Sequence, residues 1–132
     1  MGDRFVVGFQ DKPESPIVYL YSHWGGEAQE KILAEALDKA QGRWGDSDYG
    51  TRIVVSQIIG DSWKDNLGFG LSVNNFAMPD YDTIQVVEWH SGKVSIREAN
   101  DPDHVLEEIS LETFCQSDTL VKEQFDKIIK SM

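Results

Sequence analysis

The chain has one cysteine, Cys115, so no disulfide can form within it, and 132 residues must hold together by packing a core. It has no apolar run near the ~20 residues that span a bilayer. Its opening Met1-Gly2-Asp3-Arg4 lacks the basic-then-apolar order of a secretory signal, and Val6 stands where a myristoylation start needs Ser or Thr. The expected setting is a reducing cytoplasm, away from membranes. Basic residues are scarce: 12 Lys and Arg face 23 Asp and Glu, for a net charge of −11. Neutralising a phosphate backbone takes clustered cations, so nucleic acid is not an expected partner. The acid excess suits solubility or a basic protein partner.

Catalytic signatures are equally sparse. With three histidines and no Cys or His pair, a zinc site is not indicated. Asp80-x-Asp82 and Asp101-Pro102-Asp103-His104 do not reproduce a calcium loop and read as turns, so neither metal nor cofactor is expected. No serine sits in a nucleophile elbow. Cys115, beside Phe114 and with no histidine near it in sequence, reads as a buried structural thiol. Gly68-x-Gly70 lacks the third glycine and the following helix of a dinucleotide turn. The balance leans away from an enzyme.

What the chain does have is clear periodicity. Residues 5–9 and 17–21 read as strands joined by the polar turn 11–16, an antiparallel hairpin. Within the second strand, Val18 and Leu20 share one face and Tyr19 and Tyr21 the other. The Leu face is expected to pack on helices and the Tyr face to be wetter. After Gly25-Gly26, the residues Ala28, Ile32, Leu33, Ala36, Leu37 and Ala40 follow helical spacing up to Gly42. Residues 49–59 are ambiguous. Ile53-Val54-Val55 and Ile58-Ile59 suit a buried strand, while the caps Asp46 or Ser47 and Gly60 suit a helix, and the caps favour helix. Strands are then expected over 68–73 and 83–89, with 93–98 closing a hairpin across His90-Ser91-Gly92. A turn over 99–104 and a short edge strand over 105–111 follow. Ser117 caps a last helix carrying Leu120, Val121, Phe125, Ile128 and Ile129. The expected fold is a single α+β domain spanning residues 1–132, a mostly antiparallel sheet with helices packed on one face.

Two clusters can carry binding chemistry. In the first, His23 and Trp24 end a strand beside a helix start, where Gly25 and Gly26 allow close backbone approach to an anion. The plainer reading is a strand end and a turn. In the second, Arg43 and Trp44 precede a helix on which Tyr49 and Arg52 share a face, a possible clamp for phosphate or carboxylate. Its plainer reading is that both arginines answer neighbouring acids.

Taken together, Met1-Gly2-Asp3-Arg4, Tyr21-x-His23-Trp24-Gly25-Gly26, Arg43-Trp44 with Asp46 and Tyr49, Arg52-Ile53 and Gly68-Phe69-Gly70 resemble a family of small phage and bacterial proteins, mostly of unassigned function. The resemblance covers residues 1–73, and His-Trp-Gly-Gly is its most specific part. Ser22 replaces the family's usual threonine, and Gly45 stands where an acid is common. It implies a viral or mobile-element origin and no activity.

Two functions are therefore expected. One is non-enzymatic binding of a small anionic, nucleotide-type ligand at His23, Trp24, Gly25, Gly26, Arg43, Trp44, Tyr49 and Arg52. A phage anti-defence protein that sequesters a host immune signal would work this way, as a homo-oligomer if copies share the pocket. The other is an acidic protein–protein interaction module inhibiting a host protein, with Trp63, Trp89, Phe76 and Tyr81 as exposed anchors. A third, weaker option is a small hydrolase with His23 as base.

Overall fold

A strand buried along its whole length needs neighbours on both edges and cover on both faces. Residues Phe5–Gln10 (β1) form such a strand, with all six residues buried. The computed structural model describes residues 3–66, 68–73 and 81–116. In it the remaining strands are Val18–Ser22 (β2), Phe69–Ser72 (β3), Thr83–Glu88 (β4), Lys93–Glu98 (β5) and Asp101–Ser110 (β6). They make a six-stranded sheet in the order β3-β2-β1-β4-β5-β6. All neighbours are antiparallel except β1 and β4, which run parallel with Val7 opposite Gln85 and Phe9 opposite Val87. The fold is α+β with a mixed, mostly antiparallel sheet.

A 3-10 turn over Gly26–Ala28 leads into the first helix, Gln29–Lys39 (α1), and Ser47–Ile59 forms the second (α2). Its caps decide the ambiguous segment: the Asp46 carboxylate accepts from Tyr49 N, and Gly60 ends the helix at φ 57°. Its β-branched residues still find a core, since Val54 is fully buried in the main cluster and Ile53, Val55, Ile58 and Ile59 pack, partly buried, against that cluster. α1 stops at Lys39, before Gly42, and a 3-10 turn over Gln41–Arg43 follows. Residues 111–116 are helical as well. Leu33 and Leu37 of α1, Val54 of α2, and Leu111 and Phe114 join Phe5, Val7, Leu20 and Val87 in one cluster. The helices therefore cover one face of the sheet.

The opposite face is not wet. Val6, Tyr19, Ile84, Val86 and Ala99 form a second buried cluster there, with Tyr21 packed at its margin. Burial lifts the Tyr19 hydroxyl above its ordinary pKa; Arg97 opposes this and Asp103 adds to it. The same face holds an ion pair taken out of water, Arg97 Nη2 to Glu88 Oε2 at 3.1 Å. Burial alone would raise the Glu88 pKa. Hydrogen bonds from Ser95 and Arg97, and the Arg97 and His90 charges, outweigh it and hold the carboxyl below the usual range.

The turn expected over 99–104 is much shorter, because β6 already begins at Asp101. The edge strand expected to be short runs for ten residues. The C-terminal helix expected from Ser117 lies outside the described residues, as does the 74–80 part of the connection expected over 74–82, with Phe76.

One core position breaks the rule that buried polar groups are paired. Gln85 faces the helices between Val7 and Ile96, is 0% exposed, and has no hydrogen-bond partner for either Oε1 or Nε2. An unpaired buried amide costs about 1–3 kcal/mol. Gln85→Met, of similar shape, is expected to raise stability by about that amount in urea unfolding. An unchanged or lower midpoint would show that the amide has found a partner in solution.

Candidate functional site

The geometry at the glycine turn begins with Asp3. Gly26 N donates to Asp3 O at 2.8 Å and Glu27 N to Asp3 Oδ1 at 2.8 Å. The Tyr81 hydroxyl donates to the same Oδ1 at 2.6 Å. The N-terminal segment thus lays its Asp3 carbonyl on Gly26 N and its Asp3 carboxylate on Glu27 N, the amides that open the 3-10 turn leading into α1. The two glycines serve that contact. Gly25 takes the left-handed region at φ 86°, and a Cβ on Gly26 would strike the Tyr81 ring and come 2.7 Å from Asp3 O. The anion at this helix start is internal to the chain.

His23 and Trp24 stand outward from the turn. The Tyr21 hydroxyl lies 3.0 Å from His23 Nδ1, and the His23 and Trp24 rings meet edge-on at 5.4 Å. Buried Ser22 donates its hydroxyl to Trp24 O at 2.6 Å, which a threonine could do equally. The Trp24 indole lies against Gly68 and edge-on to Phe69 at 6.1 Å, yet the residue remains 54% exposed. Among the described residues no carboxylate is hydrogen-bonded to His23, whose ring partner is the Tyr21 hydroxyl.

The second cluster sits beyond the other end of α1, roughly 16 Å of helix away. The Arg43 guanidinium stacks 4.9 Å above the Tyr49 ring, and Arg52 Nη1 reaches Ser56 Oγ at 3.4 Å. Neither arginine forms an ion pair with a carboxylate of the described residues. Trp44 does something else: its Nε1 donates to Leu37 O at 2.9 Å, satisfying a carbonyl of the last turn of α1. The structure therefore brings His23, Trp24, Gly25 and Gly26 together at one end of α1, and Arg43, Tyr49 and Arg52 at the other.

The anchors expected for protein docking divide similarly. Trp63 is 71% exposed, whereas Trp89 is buried with its Nε1 on Thr51 Oγ1 at 2.8 Å, and Tyr81 is half-buried on Asp3. Trp89 is excluded as a surface anchor because its strand end points it under α2. Cys115 Sγ lies 3.6 Å from Ala34 O, and burial, with Asp38 adding, pushes the thiol pKa up to about 11.

No family model, curated protein or solved structure matches the chain. Among the described residues, no helix is long and apolar enough to cross a membrane. Sequence reasoning missed the part played by Asp3, for which the only sequence signal is a carboxylate at the start of the resemblance. It also missed Leu71, whose exposure on β3 depends on strand order.

Two outcomes follow. Asp3→Ala removes an acceptor shared by an amide and a hydroxyl, and is expected to cost about 1–2 kcal/mol in urea unfolding. A loss no larger than for a surface alanine would mean the tie adds nothing. The Cys115 thiol, neutral in the fold until about pH 11 and ordinarily ionising near 9, is expected to react slowly with a disulfide reagent at pH 8. Because the unfolded thiol ionises first, its contribution to stability is intact below pH 9 and lost as pH rises towards 11. Fast native-state labelling at pH 8 would contradict this.

Proposed function

We propose that this chain is a non-catalytic interaction protein that docks a partner protein along the β3 edge of its sheet. The observation that carries the reading is an exposed apolar strip on that edge. Phe69 packs under Trp24, and Leu71, two residues on and so on the same face, is 59% exposed. Among the described residues β3 is the outer strand of the sheet, next to β2. A fixed tryptophan beside an apolar edge strand is the kind of surface that anchors a partner, by side-chain burial and by strand addition. The mobile-element origin that the resemblance implies makes a host protein the partner class, with inhibition as the effect. Nothing in this reading calls on His23 for chemistry.

A second reading rests on a separate observation. Arg43 stacked on exposed Tyr49, with Arg52 on the same helix face, offers two guanidinium groups in a chain of net charge −11. That surface suits a small anionic ligand of nucleotide type, the anti-defence role, held at Arg43, Tyr49 and Arg52 without the glycine turn.

Affinity capture from host lysate, run in parallel with the full chain and with Trp24→Ala and Leu71→Asp variants of unchanged circular dichroism, tests the first reading. A protein retained by the parent and lost with both variants is the expected result. Retention that ignores both substitutions, or none at all, would sink it, and the mass of the retained species separates a second copy from a foreign protein. Calorimetric titration with cyclic and linear nucleotides tests the second. Heat that vanishes in Arg43→Ala and Arg52→Ala supports it, and absent heat removes it.

A further inference from the structure

The β5–β6 hairpin leaves regular pairing at two successive steps, between Ile96 and Arg97 and between Arg97 and Glu98. Glu98 lies opposite Asp101 across the turn, yet its neighbour Arg97 lies opposite Val105, so residues 102–104 are extruded as a bulge. Arg97 fixes that bulge from beneath. It is buried, held by Glu88, and donates from Nη1 to Pro102 O at 3.1 Å. A guanidinium anchored by two separate groups leaves the bulge little freedom, and the bulge turns His104 back over the end of the hairpin. His104 Nδ1 then lies 3.1 Å from Glu98 Oε2.

The result is convergence of three different side chains. One potential donor atom each from Glu98, Asp101 and His104 lies within 4.8 Å of the others. Sequence spacing alone does not produce this. Run regularly from the Glu98–Asp101 end, the ladder would set His104 opposite Ser95, and the extruded residues return it to Glu98. Like charges also meet here, because Glu98 and Asp101 lie opposite each other across a strand pair in a chain already at −11. A divalent cation held between the two carboxylates would offset that repulsion.

We propose that Glu98, Asp101 and His104 form a binding site for a divalent transition-metal cation of the zinc type. One imidazole nitrogen and two carboxylate oxygens suit zinc, cobalt or nickel. Calcium instead takes six to eight oxygens, and magnesium a near-octahedral oxygen set. With the three side chains partly or wholly exposed, water completes the coordination. The cation would lock the bulge to the hairpin end, adding stability because the unfolded chain does not assemble the three ligands. The site shares no residue with the β3 edge or with the Arg43–Tyr49 surface, so it stands or falls independently of the proposed function.

Calorimetric titration of chelator-treated full-length protein with Zn2+ tests it, with His104→Ala and Glu98→Gln as disrupting variants and His90→Gln as control. Saturable binding of one ion is expected, weakened about tenfold or more by either disrupting variant and unchanged in the control. Histidine side-chain NMR of the parent should show the His104 resonance shifting with the titration. Binding that does not saturate below about 1 mM, or that survives His104→Ala at full affinity, would overturn the assignment. A site that vanishes in His90→Gln would overturn it too.

Discussion

The parallel register of β1 against β4 is the constraint on which the rest of the molecule depends. Every other strand pair joins antiparallel neighbours. Parallel neighbours cannot be joined by a tight turn, so a long excursion must separate them. Here that excursion is β2, α1, α2 and β3. It sends β3 to one edge of the sheet and leaves the β4–β5–β6 meander to grow towards the other. The seam is therefore the join between two halves of the chain, and its residues show the demand. Val7, Phe9, Val86 and Val87 are buried to within a few per cent, and Gln85 is buried without any polar partner. A non-local seam of this kind forms only after much chain has been ordered.

Asp3 fastens the same seam at its open end. Its carboxylate is shared by Glu27, just ahead of α1, and Tyr81, just ahead of β4, while its backbone oxygen accepts from Gly26. The starts of β1, α1 and β4 are tied at one place. A carboxylate at a helix start is also what the dipole favours. This explains the tight glycine turn without a ligand: the space a phosphate would need holds the chain's own acid. Trp24 then projects from a rigid corner, and side chains on rigid supports make better anchors than those on mobile loops.

Much of this was legible in the sequence, because local physics set it. The α1 periodicity, the Asp46 and Gly60 caps of α2, and the hairpin at His90-Ser91-Gly92 follow from short-range rules. The β-branched run Ile53-Val54-Val55 pointed the other way and lost to the caps and to the core beneath α2. What escaped the sequence was non-local. Nothing short-range says that β4 pairs with β1, that Tyr19 meets a second buried layer, or that Trp89 turns under α2 towards Thr51. The two clusters of candidate ligand residues were legible as clusters, and the helix read between them already implied their separation. Joining them into one site overlooked that His23 and Arg43 lie beyond opposite ends of α1.

Among the described residues, the two outer strands of the sheet differ in a way that bears on where a partner would add. Unpaired edges are sites of unwanted strand pairing, and charge is the usual deterrent. β6 carries Asp101, Asp103, Glu107 and Glu108 within ten residues, with Lys93 of β5 on Glu108 at 3.3 Å. β3, as Phe-Gly-Leu-Ser, carries no charge at all. In a chain of net charge −11 an uncharged edge is the exception. Shortness limits how much of it a second strand can cover without also engaging Trp24, which lies against Gly68 and Phe69. Backbone pairing at β3 therefore gains most when the incoming strand also covers the indole. On the proposed docking reading, that coupling would make the edge selective, and it would use the tryptophan of the His-Trp-Gly-Gly corner rather than the histidine.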